Sequence, residues 1–142
     1  MDVPLLMRLL ATPMILVVDD DPATRSMLTE VLALEGFQST SAPDGRKALE
    51  LLRAGGPYVV ALDLVMPYVD GIGLLVALKQ MPEVRRCHWI ILMSGRVNLN
   101  ELATTYGADS ALVKPFLIEQ FLDVVSEGLR RVGHEPGPDT RN

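Results

Sequence analysis

The feature that most constrains the fold is an alternation. Four short runs are apolar: MILVV (14–18), YVVAL (58–62) and WIILM (89–93) throughout, and SALV (110–113) after its opening serine. A run of this length that is apolar at every position reads as a strand covered on both faces. A fifth run, FQSTS (37–41), is more polar and suits an edge strand. The longer segments between them carry apolar residues every three or four positions, the spacing of an amphipathic helix. Strand then helix, five times over, predicts an α/β fold: a doubly wound, five-stranded parallel sheet with right-handed crossovers.

The helix boundaries are legible from their caps. Pro22 suits a first helical position, Met27, Val31 and Leu34 mark one apolar stripe, and Gly36 suits the stop. Asp44 is placed to cap a helix carrying Ala48, Leu51 and Leu52, which ends at Gly55-Gly56. Leu74, Leu75 and Leu78 mark a third helix closed by Pro82. Leu99, Leu102, Ala103 and Tyr106 mark a fourth closed by Gly107, and Ile118, Phe121, Val125, Leu129 and Val132 a long fifth.

In a sheet of this kind ligands bind outside the carboxyl ends of the strands, so the residues after each apolar run matter most. Asp19 and Asp20 follow the first strand, Asp63 the third, Ser94 and Gly95 the fourth, and Lys114 and Pro115 the fifth. Any one of these has a plain structural reading as a cap or turn residue. Asp21 fits that reading, as a cap for the helix opened by Pro22. The joint occurrence at matching strand ends is what turn chemistry does not explain. Two carboxylates ~4 Å apart repel by ~4 kcal/mol at an effective dielectric of ~20, so a cluster of this kind invites a cation.

The bulk properties narrow the class. A chain of 142 residues, 49% hydrophobic, fits one domain with a real core. A net charge of −5 argues against a general nucleic-acid binder. Cys87 is the sole cysteine, which excludes a disulfide framework and makes the cytoplasm the default. It reads as a small core or rim residue. Residues 1–13 read as an N-terminal extension: too short and too broken by Pro4 and Pro13 to cross a membrane, and without the pattern of a secretory signal. Residues 133–142 read as a disordered tail, which leaves 14–132 as the domain. Trp89 is expected to pack at the start of its strand, and neither His88 nor His134 has the company of a metal ligand.

Hard oxygen donors without His or thiolate select Mg²⁺ or Mn²⁺ over zinc. A carboxylate can also attack phosphorus and become an aspartyl phosphate. Phosphoryl transfer needs mainly positioning and charge neutralisation, which a metal, Lys114 and the Ser94 hydroxyl could divide among three oxygens.

With ILVVDDDP, LDLVMPYVDG, ILMSG and YGADSALVKPF in this order and spacing, the chain resembles the receiver domain of two-component response regulators from about Met14 to Val132. The resemblance implies the flavodoxin-like strand order 2-1-3-4-5. It implies Asp63 as phosphoacceptor, taking the group from a sensor histidine kinase or a phosphotransfer protein. Asp20 and Asp63 would bind Mg²⁺ directly, the backbone carbonyl of Val65 would be a third ligand, and Asp19 would act mostly through a metal-bound water. Lys114 would pair with Asp63 at rest and with the phosphoryl group afterwards, and Ser94 would move toward that group. The Lys114–Pro115 bond is typically cis in the family. The face made by the fourth helix, fifth strand and fifth helix would bind a downstream protein.

The sequence departs from the family at two places. The switch position two residues into the last strand is often aromatic; here it is Ala111, and a methyl group cannot swing between buried and exposed states. The fourth helix must then report phosphorylation another way. Val65 and Arg96 stand two residues beyond Asp63 and Ser94, where the family controls attack by water. An apolar Val65 cannot orient water, so self-dephosphorylation is expected to be slow.

Two other classes share part of this pattern. A Mg²⁺-dependent phosphatase with an aspartate nucleophile, as in the haloacid dehalogenase family, normally carries that nucleophile on the first strand and needs room for a substrate cap. A receiver-like module that never carries phosphate would not need the full acidic set with Ser94 and Lys114. Direct DNA binding is not expected. After Val132 no stretch reads as an output segment, so a stand-alone regulator and a piece of a longer one both fit, as do a monomer and a phosphorylation-dependent homodimer.

Overall fold

The computed structural model describes residues 12–64 and 70–132. The strands are β1 (Met14–Val18), β2 (Ser39–Ala42), β3 (Tyr58–Asp63), β4 (Trp89–Ser94) and β5 (Ser110–Val113). Five helices alternate with them: α1 (Pro22–Leu34), α2 (Gly45–Ala54), α3 (Gly71–Lys79), α4 (Leu99–Tyr106) and α5 (Ile118–Arg131), with one further helical turn at Pro82–Arg85. All pairings are parallel, and the order across the sheet is β2-β1-β3-β4-β5, as the resemblance implied. The expected extension and tail lie almost wholly outside the described residues.

The two faces of the sheet follow from strand alternation. Leu16, Val18, Val60, Leu62, Ile90 and Leu92 point into one core, closed by Ala48 and Leu52 of α2, Leu74, Leu75 and Leu78 of α3, and Leu99 and Ala103 of α4. Ile15, Val17, Val59, Ala61, Ile91 and Met93 point into the other, closed by Leu28 and Leu32 of α1 and Phe121 and Val125 of α5. Both faces of the central strands are thereby covered, which is why those runs contain no polar residue.

Three readings of the apolar pattern need correction. In α1 the buried residues are Leu28 and Leu32, whereas Met27 is 42% and Leu34 81% exposed. The helix carries two adjacent apolar stripes, and packing on Ile15 and Val17 selects the second. Val113 is 48% exposed, because β5 is an edge strand and its last residue is not covered on both faces. Ile118 is likewise half-exposed at the start of α5.

Caps behave as read. The Asp21 carboxylate accepts from the N–H groups of Ala23 and Thr24 at the head of α1, and Asp44 accepts from Lys47 N–H at 2.9 Å. Gly36 and Gly107 end α1 and α4 with φ of +82° and +78°, a conformation that favours glycine.

The edge of the sheet opposite the carboxyl ends is tied by two polar clusters that the sequence did not announce. His88 is buried; its Nδ1 accepts from Tyr58 N–H at 3.1 Å and its Nε2 lies 3.0 Å from the Leu52 carbonyl. Arg85 donates to the carbonyls of His88 and Gly107 and pairs with Asp109 at 2.9 Å. The same Asp109 oxygen accepts from Ile90 N–H at 2.7 Å. Trp89 packs at the start of β4 as read, with the Arg131 guanidinium 5.6 Å from the ring centroid. Asp109→Ala should cost about 2–3 kcal/mol, because it removes the charge partner of the Arg85 guanidinium and leaves the Ile90 N–H without an acceptor; urea denaturation measures it.

Candidate functional site

The site is built by strand ends. Parallel pairing sets Val18 beside Leu62 and Asp63 beside Met93. The ladders continue just past the strands: Asp19 N–H donates to the Ala42 carbonyl, Leu64 N–H to Met93, and Lys114 N–H to Ser94. Asp63 and Ser94 are the last residues of β3 and β4, one residue further than the apolar runs themselves. Backbone hydrogen bonds therefore hold Asp19, Asp63, Ser94 and Lys114 on one edge of one sheet.

The sequence-expected residues meet there. Carboxylate oxygens of Asp19, Asp20 and Asp63 lie within 4.8 Å of one another. Asp19 and Asp63 are buried and Asp20 is exposed. Lys114 Nζ reaches between the buried pair, 3.3 Å from Asp63 Oδ1 and 3.5 Å from Asp19 Oδ2. The contact with Asp63 is a hydrogen bond. The contact with Asp19 is an ion pair without hydrogen-bond geometry, and Asp19 Oδ2 is left as a buried oxygen with no hydrogen-bond donor. Its other oxygen accepts from Asp21 N–H at 2.9 Å. Ser94 is buried beside them, its Oγ accepting from Arg96 N–H at 3.2 Å. The Lys114–Pro115 peptide is cis, as expected, and a second cis bond, Gly56–Pro57, was not anticipated. Val65 lies outside the described residues.

Asp21 stands apart from the cluster. Its carboxyl is held below the ordinary range, first by the Thr24 hydroxyl at 2.6 Å and further by the helix N–H groups it caps. Asp63 is displaced the other way. Burial pushes its carboxyl up, the Lys114 ammonium opposes this, and the charges of Asp19 and Asp20 add to the rise.

Sequence reasoning missed the closeness of α3. The Asp70 carboxylate caps it, accepting from Gly73 N–H at 2.7 Å, and Gly71 N–H donates to the Leu64 carbonyl at 3.0 Å. A Cβ on Gly71 would lie 2.6 Å from the Asp63 carbonyl oxygen and 2.9 Å from Leu64 Cα. Only glycine lets the helix start against the backbone of Asp63. The Asp-Gly pair after the third strand is the signal that carried this.

The donor set fits a hard divalent cation. Three carboxylates converge, a buried oxygen lacks a hydrogen-bond donor, and no His or Cys joins this cluster among the described residues.

The sequence profile of the response regulator receiver domain matches residues 15–126. The chain belongs to the response regulator receiver family. Receivers are signalling domains of two-component systems rather than conventional enzymes. Relatives include the response regulator MprA of Mycobacterium sp. (strain KMS), 36% identical over 89% of this chain and 54% of that protein. The probable chemotaxis protein CheY of Rhizobium etli is 37% identical over 75% of this chain and 84% of its own length. The chain thus spans about half the length of the MprA relatives it matches. Among solved structures, the receiver domain of the Francisella response regulator 1452 superposes with a TM-score of 0.75 at 31% identity, covering 84% of this chain and 98% of that one. Among the described residues of this receiver, no helix is long and apolar enough to cross a membrane.

The raised Asp63 carboxyl makes a pH-dependent prediction. Its folded value lies above the ordinary 3.8, so the fold binds this proton more tightly than the unfolded chain. Stability from this group is full below about pH 4 and is lost as pH rises through the folded value. Asp63→Asn in EDTA should therefore stabilise the protein at pH 7, because it removes a buried charge and its repulsion from Asp19 and Asp20. The gain should vanish at pH 4. Denaturant midpoints at the two pH values check the sign.

Proposed function

We propose that this receiver accepts a phosphoryl group on Asp63, in a Mg²⁺-dependent transfer from a phosphohistidine on a sensor histidine kinase or phosphotransfer protein, and that the modification switches binding to a downstream protein. The observation that carries the reading is the convergence of Asp19, Asp20 and Asp63, with Lys114 on two of them.

In the transfer, a carboxylate oxygen of Asp63 attacks phosphorus, the P–N bond breaks, and the imidazole leaves. The product is an acyl phosphate on Asp63. Asp19, Asp20 and Asp63 would hold Mg²⁺ (or Mn²⁺), with the Val65 carbonyl as a further ligand. When bound, the ion supplies charge neutralisation at the transferring oxygens. Lys114 exchanges its hydrogen bond with Asp63 for one with a phosphoryl oxygen. The Ser94 hydroxyl would donate to another, drawing the β4–α4 connection toward the site.

Downstream of Ser94 the signal has to leave without an aromatic swing. Ala111 and Tyr106 border the same core cluster, so movement of Ser94 is transmitted to α4 by packing rather than by rotation at Ala111. The α4–β5–α5 face, where Val113 is 48% exposed, is the output surface in this reading, and a homodimer or another protein could cover it. A chain acting in this circuit would work in the cytoplasm.

Incubation with acetyl phosphate and Mg²⁺ should add one phosphoryl group, seen by intact mass, and Asp63→Asn should abolish the adduct. A wild-type protein that takes no Mg²⁺-dependent adduct on Asp63 would sink the reading. Because Val65 offers no side-chain hydrogen bond to an attacking water, the adduct should persist for minutes or longer after donor removal. Decay within seconds, followed by the same mass assay, would contradict this.

A further inference from the structure

Asp20 differs from the other carboxylates of the cluster. It is exposed, and among the described residues no hydrogen bond or ion pair holds its side chain. Packing therefore does not aim it. The direction of its carboxylate depends on its own backbone, and that backbone is set by the two peptide planes on either side.

Each plane is held by one hydrogen bond. The Asp20–Asp21 plane carries the Asp21 N–H, which donates to Asp19 Oδ1 at 2.9 Å. The Asp19–Asp20 plane carries the Asp19 carbonyl, which accepts from Arg25 Nη1 at 2.7 Å. Arg25 is itself fixed: its N–H donates to the Asp21 carbonyl at 3.0 Å in the first turn of α1, a helix anchored by the Asp21 cap. Its side chain folds back across the loop onto the residue before Asp20.

We propose that Arg25 is a positioning residue for the cation site, orienting Asp20 through the Asp19 carbonyl; this rests on the reading of the acidic cluster as a divalent-cation site. The sign of the effect separates position from charge. A guanidinium near the cluster repels a divalent cation, so by charge alone its removal would tighten binding. Loss of orientation weakens it, and outer partners of metal ligands typically contribute 10–100-fold in affinity.

The test is Mn²⁺ titration calorimetry on the full chain: wild type, Arg25→Met, Arg25→Lys and Asp20→Asn. Arg25→Met keeps the apolar stem and should weaken Mn²⁺ binding about tenfold. Arg25→Lys, which retains one donor, should recover part of the loss. In acetyl phosphate labelling, the Mg²⁺ concentration for half-maximal rate should rise by a similar factor while the rate at saturating Mg²⁺ stays near wild type. Binding by Arg25→Met equal to or tighter than wild type overturns the proposal. So does a lowered maximal rate with unchanged half-saturation. If wild type does not bind Mn²⁺, or Asp20→Asn binds as wild type does, the cation-site reading itself fails and the role of Arg25 falls with it.

Discussion

The parallel register between β1 and β3 is the constraint on which the site depends. Val18 lies opposite Leu62, so Asp19 and Asp63 leave the sheet side by side. A slip of one residue would turn the alternating apolar sets of both strands to the wrong faces, against helices that could not cover them. The cores on the two faces thus lock the register, and the register delivers two buried carboxylates to one point. Stability and chemistry are joined at this pairing.

That arrangement is costly by itself. Like charges are held within 4.8 Å, and one buried oxygen of Asp19 has no hydrogen-bond donor. Lys114 relieves part of the repulsion by touching both buried carboxylates. Its contacts, at 3.3 and 3.5 Å, are long for charge-assisted bonds, which run near 2.7–2.9 Å. A cation shared at such distances can be given up to a stronger partner. The phosphoryl transfer proposed above would draw on that property, with Lys114 leaving Asp63 for a phosphoryl oxygen.

How much of this was readable in the chain varies by residue. The five strands, the caps at Asp21 and Asp44 and the stops at Gly36 and Gly107 were legible, because each depends on local backbone chemistry. The polar edge strand read at 37–41 runs instead over Ser39–Ala42, where pairing with β1 and not composition sets its start. The site residues were legible because each follows a strand, and strand ends in a parallel sheet share an edge. The buried stripe of α1 was not: Met27–Val31–Leu34 and Leu28–Leu32 are both apolar spacings, and nothing within the helix ranks them. His88 was read only as lacking metal company. Its structural work, accepting from Tyr58 thirty residues away, has no local signal. Arg25 is ordinary in sequence and matters only because of what the fold brings against it. Gly71 carried a signal, the Asp-Gly pair, whose reason is visible only where α3 meets the backbone of Asp63.

The sequence by itself determined the kinds of element, their order and the chemistry at each strand end. Those follow from side-chain periodicity and from residue types whose preferences act over a few positions. Tertiary structure alone decided which apolar stripe faces the sheet, where Lys114 bridges and which carboxylate oxygen lacks a hydrogen-bond donor. These depend on distances between residues far apart in the chain, set by the joint packing of two cores. Asp19 and Asp63 are forty-four positions apart and become one site only when β1 and β3 pair.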